Sequence, residues 1–366
     1  MIRTIAILGA GHGGCAAAAD LTRQGFTVRL QSRNPARLAP IREQGGLTLK
    51  GVYDGFVPIA HLTQSVGEAI EGADLIMLVV PSVAVGQYAR ELAPLLKPDQ
   101  PILINPGHTG GGLHFTAAAR AAGYRGALQT GETVTLTYIC RMTGPAAVHL
   151  YSYTENLAFA GFPGRDAAAL FQLLKPVYPR LALASSVLET ALTNINAMFH
   201  PPGMLMNAGW IEHTHGDFLF YREGITESVG RVTAALDAER MAIAKALHLP
   251  AVSFLEAFHR AGLTTRAAME SGSIARASRE SEPNRAVKSP PALQHRYVYE
   301  DVGYGLVPMA ALGRLAQVPT PAMDALITLA ELALGAELRE SGLTLAQMGL
   351  AGKTVAELPQ FLERGG

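Results

Sequence analysis

One histidine in this chain stands where a proton-transfer group would be useful. The segment TNINAMFHPPGMLMNAG carries Asn194, Asn196 and His200, followed directly by Pro201 and Pro202. Asn196 and His200 are four residues apart, so a helix puts them on one face. The prolines lack backbone donors and are expected to interrupt that helix just past the imidazole, leaving it at an irregular point between elements. Much later, RYVYEDVGYGLVP sets Arg296, Glu300 and Asp301 among aromatic and apolar residues. Partly buried charges need partners. An aspartate on His200 would fix its tautomer and keep it a proton donor near neutral pH. A lone histidine on an apolar helix is also an ordinary core residue, and spacing leaves open whether the two side chains meet.

A second signature opens the chain. Residues 4–14, TIAILGAGHGG, run a short apolar strand into Gly9, Gly11 and Gly14 of a G-x-G-x-x-G turn. Gly9 allows the tight turn, Gly11 lets the backbone approach a pyrophosphate, and Gly14 lets the following helix pack on its strand. His12 and Gly13 complete the turn, and the N–H groups of the Ala-rich helix offer partial positive charge to phosphates. The pattern predicts a nicotinamide or flavin dinucleotide. At the end of the second strand, TVRLQSR, the position of a ribose-binding carboxylate holds Gln31, then Ser32, Arg33, Asn34 and Arg37. A hydroxyl and guanidinium groups with no acid suit a 2′-phosphate, so NADP(H) is expected over NAD(H). A solvated basic loop, or an arginine stacked on adenine, is the plainer alternative.

The elements that position these residues follow from pattern. Up to about residue 185, short apolar runs such as LIMLVVP and PILINPG alternate with helical segments, as buried parallel strands require. Pro81 and Asn105 end two of these runs and are expected to face the nicotinamide. From Leu188 onward long helical segments dominate. The expected fold is α/β, a doubly wound Rossmann domain over 1–185 and an all-helical substrate domain over 186–366. Residues 279–294, polar and proline-containing, read as a long surface loop or lid.

Composition narrows the function classes. Hydrophobic residues make up 49% and charged residues 16%, with 30 Lys plus Arg against 30 Asp plus Glu. A neutral total gives no electrostatic case for nucleic acid or an anionic membrane. Cys15 and Cys140 have no metal-type spacing, so no metal is expected, and a reducing, cytoplasmic location follows. The longest apolar run is broken by Pro81 and is too short to span a bilayer.

On the segments LGAGHGG, INPGHTGG, GETVTLTYICR, LTNINAMFHPPGMLMNAG, EGITESVG and RYVYEDVGYGLVP, the chain resembles the opine dehydrogenases of the octopine/nopaline dehydrogenase family, almost end to end. The resemblance implies an NAD(P)H-dependent oxidoreductase that condenses a 2-oxo acid with an amino acid or amine and reduces the imine. It implies His200 as catalytic acid/base, Asp301 as its carboxylate partner, and Arg296 as the guanidinium for a substrate carboxylate. Asn196 falls beside the histidine, Thr135 and Cys140 fall in a segment lining the 2-oxo-acid pocket, and a homodimer through the helical domain is expected. Two other readings stand beside it. Ketopantoate or glycerol-3-phosphate dehydrogenase-type reductases share the layout but use a lysine acid, which the TNINAMFH helix does not offer. A noncatalytic NAD(P)H sensor would bind cofactor without turnover.

Overall fold

In the computed structural model, which describes residues 1–365, the first strand β1 (Thr4–Leu8) is buried on both faces. Ile5 and Ile7 enter one core, and Ala6 and Leu8 enter another, as the period of two along a strand dictates. There follow α1 (His12–Arg23), β2 (Thr27–Gln31), α2 (Pro35–Gln44), β3 (Gly46–Gly51), β4 (Gly55–Pro58), β5 (His61–Thr63) and α3 (Val66–Ile70). Next come β6 (Leu75–Leu78), α4 (Ser82–Leu92), β7 (Pro101–Ile104), α5 (Gly111–Ala121) and β8 (Gln129–Thr133). The first unit continues with β9 (Tyr138–Gly144), β10 (Ala147–Tyr153), β11 (Leu157–Phe162), α6 (Ala167–Leu174) and β12 (Leu181–Leu183).

Eight strands form one sheet in the order β12-β11-β8-β7-β6-β1-β2-β5, parallel except where β11 runs against β8. Strand addition reverses direction at β1, with β2 on one side and β6 on the other. Such a switch point opens a crevice at the carboxyl ends of the strands. The glycine turn leaves β1 there.

A second, four-stranded sheet, β4-β3-β10-β9, was not anticipated by the alternating pattern. It covers α1, whose other side lies on the large sheet, so Gly13 to Leu21 are all buried. A helix enclosed by two layers cannot carry large side chains on either face, which accounts for its run of four alanines, Ala16 to Ala19. Asp20 is buried in this layer and accepts hydrogen bonds from Tyr153 Oη (2.7 Å), Gln24 Nε2 (2.9 Å) and Tyr138 Oη (3.1 Å). The burial of a charge is thereby compensated by several donors.

The second unit spans Leu188–Pro359, and the chain from Gln360 onward clusters again with the first. The division falls two residues after the expected boundary, and the C-terminal residues do not stay with the helical part. Phe361 packs its ring 5.5 Å from that of Phe162 on β11, which draws the terminal segment back. The helices are α7 (Val187–Thr193), α8 (Asn196–Leu205), α9 (Ala208–Thr214), α10 (Glu227–Ala246), α11 (Phe254–Arg260) and α12 (Arg266–Glu270). They continue with α13 (Ile274–Arg279), α14 (Arg296–Asp301), α15 (Val307–Leu315), α16 (Pro321–Leu334) and α17 (Leu338–Ser341), while most of α18 (Leu358–Arg364) falls in the first unit. Among the described residues, no helix is long and apolar enough to cross a membrane.

Two local expectations are corrected in this unit. Pro201 and Pro202 lie inside α8, which runs through them to Leu205. Each proline removes one i to i−4 bond, but burial of the whole stretch from Ala197 to Met204 holds the helix together. Residues 279–294 are no loose lid. Phe220 N–H donates to Val287 O and Ser289 N–H donates to Phe218 O, at 2.9 Å each, so the segment is laced to the chain around Phe220.

The glycine turn gives a sharp stability contrast. Gly9 has φ +114°, and a Cβ on Gly14 would lie 1.7 Å from Gly9 O, whereas a Cβ on Gly11 would meet nothing within 4 Å. Gly14→Ala is expected to cost roughly 1–3 kcal/mol or more of stability. Gly11→Ala should leave the ligand-free melting temperature close to wild type. Thermal melts of both variants without ligand check this, and equal melting temperatures would contradict it.

Candidate active site

The first unit supplies a cradle for a dinucleotide. Gly11 precedes α1 with no side chain capping the helix, and the space above its Cα is open. The first N–H groups of a helix have no intrahelical partner, so they face that space as donors. Gly13 makes a different contact, since a Cβ there would press within 2.8 Å of Leu136. The His12 side chain is turned to the small sheet, where Nδ1 accepts from Met142 N–H at 2.7 Å. The backbone of this turn, rather than the imidazole, is therefore what it offers a pyrophosphate.

At the end of β2, Gln31 is fully buried and already committed. Its Nε2 donates to Gln64 O at 3.0 Å, and its Oε1 accepts from Tyr88 Oη at 3.1 Å. Burial pushes the Tyr88 phenol up, which keeps it a donor. Ser32 is mostly buried, and its Oγ accepts from Asn34 N–H at 3.2 Å in the turn that starts α2. Arg33 is exposed and lies over the Tyr88 ring, 4.7 Å from its centroid. The end of β2 thus presents a guanidinium on an aromatic platform, with Gln31 where a carboxylate could stand. These residues fit an NAD(P) dinucleotide.

Two residues expected at the ligand, Asn105 and Cys140, are committed to the scaffold. Asn105, at the end of β7, is fully buried, with Nδ2 donating to Thr137 Oγ1 (2.8 Å) and Oδ1 accepting from Thr133 Oγ1 and Thr137 N–H (3.1 Å each). It fastens the loop between β8 and β9, so its side chain is scaffold. Cys140 is packed into the core beside α1 instead of lining a pocket. Burial pushes its thiol, and that of Cys15, up to about 12. Pro81 is exposed at the start of α4, as a residue facing a ligand can be. Thr135 is half-buried in the loop that Asn105 holds, next to Leu136, which touches the glycine turn.

The helical unit brings the other residues together. His200 on α8 and Asp301 at the end of α14 meet with Nδ1 and Oδ2 2.7 Å apart, both buried. The approach of the chain after α14 to α8 is close. A Cβ on Gly305 would lie 2.6 Å from Ala197 Cβ, so glycine is what lets Asp301 reach the imidazole. The carboxylate accepts from Nδ1–H and so selects the tautomer with Nε2 free to exchange a proton.

Two i,i+4 pairs on α14 divide the work. Tyr297 and Asp301 share a face, and the Tyr297 ring stacks on the imidazole with centroids 3.7 Å apart and planes 8° from parallel. Arg296 and Glu300 form the neighbouring pair, with Nη2 2.6 Å from Oε2. The carboxylate is buried while the guanidinium side chain is 53% exposed. Burial opposes the charge on Arg296, but Glu300 and Asp301 outweigh it and hold its pKa above the usual guanidinium value. The arginine is thus anchored at one end and open at the other, an arrangement for a second carboxylate. Asn196 is half-buried one turn before His200, its N–H donating to Asn194 Oδ1 at 3.3 Å.

Tyr221 completes this cluster and was not singled out from the sequence. Its Oη is 2.8 Å from His200 Nε2. It sits in a π-helical turn, Phe220–Gly224, whose Gly224 carbonyl is tied to Gly203 O on α8 through Asn207 Nδ2. Nothing in FLFYREG distinguishes that tyrosine from a core aromatic. Tyr297 did carry a signal, because it stands four residues before Asp301. Among the described residues, no group of three His, Cys, Asp or Glu side chains comes together to hold a metal.

Both units match families of known proteins. Residues 183–334 match the family described as NAD/NADP octopine/nopaline dehydrogenase, alpha-helical domain, and residues 5–105 match ketopantoate reductase PanE/ApbA. Over 364 residues the chain is 35% identical to an opine dehydrogenase of Arthrobacter sp. (strain 1C), covering 99% of both. In fold it is similar to octopine dehydrogenase with NADH and L-arginine, at 19% identity, TM-score 0.74 and 97% of each chain. It is also similar to NADP+-bound yersinopine dehydrogenase, at 18% identity and TM-score 0.73 over 99% of this chain and 98% of that one. With a glycine turn in one unit, the His200–Asp301 pair beside Arg296 in the other, and a full-length match at that identity, the chain belongs to the opine dehydrogenase family.

Proposed function

We propose that this protein is an NAD(P)H-dependent opine dehydrogenase that joins a pyruvate-like 2-oxo acid to an amino acid or amine through an imine and reduces it to a secondary amine. The observation that carries this reading is the 2.7 Å contact of His200 Nδ1 with Asp301, five residues after Arg296 on one short helix. A proton-transfer group and a carboxylate-binding group are delivered by the same element. The Arthrobacter relative is an opine dehydrogenase, and the octopine dehydrogenase structure carries NADH and L-arginine, which supports the reaction class.

Bound NAD(P)H supplies hydride to the imine carbon. The glycine turn and the N-terminus of α1 would hold its pyrophosphate, and Ser32 and Arg33 its ribose end. Arg296 fixes the carboxylate of the 2-oxo acid with the part of its fork that Glu300 leaves open. His200, held by Asp301, gives a proton as the amine and keto acid lose water, and takes one in the reverse direction. Arg33 and the absence of an acid at Gln31 favour NADP(H).

Purified protein with NADPH or NADH, pyruvate and a panel of the common amino acids tests the reaction. Cofactor oxidation is expected to require both keto acid and amino acid, and oxidation with the keto acid alone would mean a hydroxyacid dehydrogenase. In the same assay His200→Ala is expected to lose roughly 10²–10⁴-fold in turnover with cofactor affinity nearly unchanged. Wild-type turnover in that variant would remove His200 from the mechanism.

Arg296→Lys should chiefly raise the keto-acid KM, because an ammonium cannot hold Glu300 and present a fork at once. An unchanged KM would mean that the carboxylate binds elsewhere.

Cofactor choice has its own test. Arg33→Ala is expected to weaken NADPH by about one to two decades and NADH far less, as measured by fluorescence titration. Equal losses would mean that Arg33 only stacks on adenine.

A further inference from the structure

Both ring nitrogens of His200 are engaged. Nδ1 stands 2.7 Å from Asp301 Oδ2, and Nε2 stands 2.8 Å from Tyr221 Oη. A carboxylate only accepts, so Nδ1 keeps its hydrogen, and Nε2 is the atom that gains and loses a proton. When Nε2 is bare, the Tyr221 O–H donates to it. When Nε2 is protonated it donates to Tyr221 Oη, and the phenol hydrogen turns to another acceptor. Every change in the charge of His200 therefore reverses this bond and releases an O–H.

The surroundings direct that O–H outward. The Tyr297 hydroxyl is 3.5 Å from Tyr221 Oη, and Tyr297 adjoins Arg296, whose guanidinium is the exposed end of the cluster. The Tyr297 ring covers one face of the imidazole. His200 and Tyr221 are each 7% exposed, and the Tyr221 hydroxyl stands directly on Nε2, the ring atom that exchanges a proton.

We infer that Tyr221 is a further catalytic residue, the group through which His200 exchanges protons with the reacting substrate. The inference rests on the reading of His200 as the acid/base. In the condensing direction, the Tyr221 proton goes to the hydroxyl of the amine–keto acid adduct and its C–O bond breaks to release water. The nitrogen lone pair forms C=N, and the Nε2 proton moves to Tyr221 Oη. Tyr221 ends unchanged, His200 ends neutral, and the iminium carries the charge that His200 gave up.

Tyr221→Phe keeps the ring and removes the relay. With full-length enzyme, pyruvate and the most active amino acid of the panel, kcat is expected to fall roughly 10²-fold with the pyruvate KM unchanged. A proton inventory in mixed H2O and D2O, bowed in wild type by two protons in flight, should become linear. Wild-type turnover in Tyr221→Phe overturns the inference, as does a loss of kcat with an inventory of unchanged shape. His200→Ala separates the two readings. An inactive His200→Ala beside a wild-type Tyr221→Phe removes the relay alone, whereas an active His200→Ala removes both. Wild-type silence on the whole panel removes the reaction and this step with it. Should Tyr221→Phe fail to fold, 3-fluorotyrosine at 221 keeps ring and hydroxyl, and an unchanged solvent isotope effect on kcat overturns the inference.

Discussion

The bond between His200 and Asp301 joins residues that are far apart in sequence and lie in a buried, aromatic setting. Placing a carboxylate and an imidazole out of water is costly unless each finds its partner with good geometry. Much of the local architecture serves that condition. Gly305 allows the chain after α14 to close on Ala197 of α8, and Gly203 leaves room for Phe220, which would lie 2.6 Å from an added Cβ. Asn207 ties the end of α8 to the turn that carries Tyr221. The Tyr297 ring lies flat on the imidazole. A displacement of any one of these would leave a buried polar group short of a partner, which is why the cluster is built as a unit.

A comparable constraint runs through the nucleotide-binding unit. Helix α1 must approach β1 closely enough for its first N–H groups to face the crevice, and it is enclosed by a second sheet on its outer side. Small side chains make that possible, and Asp20 then supplies the acceptor that four neighbouring donors share. Cys15 and Cys140 belong to this packing, and their burial is what pushes both thiols up.

Several polar residues at the crevice support the chain and are not offered to a ligand. Asn105 is consumed in holding the β8–β9 loop, Gln31 in joining β2 to Tyr88 and Gln64, and the His12 ring in binding the small sheet. For a ligand there are backbone N–H groups, the Ser32 hydroxyl and the exposed Arg33. This is consistent with phosphate recognition by dipoles and one guanidinium, where backbone geometry matters more than side-chain identity.

The glycine turn, the parallel apolar strands and the change to helices near Leu188 were legible in the sequence, because they are local patterns set by backbone sterics and by periods of 2 and 3.6 residues. The residue types of the site were legible as well. His200, Asp301 and Arg296 stood out as polar groups in apolar runs, whereas the pairing of Arg296 with Glu300 and the stacking of Tyr297 on the imidazole came with the structure. Whether His200 and Asp301 meet was decided only by the packing of α8 against the chain after α14. The second sheet also lay beyond local pattern, since it pairs β3 with the distant β10. So did the commitment of Asn105 and Cys140 to the scaffold, and the place of Tyr221 on Nε2. Each of these depends on contacts between segments remote in sequence, and no spacing within a segment encodes them.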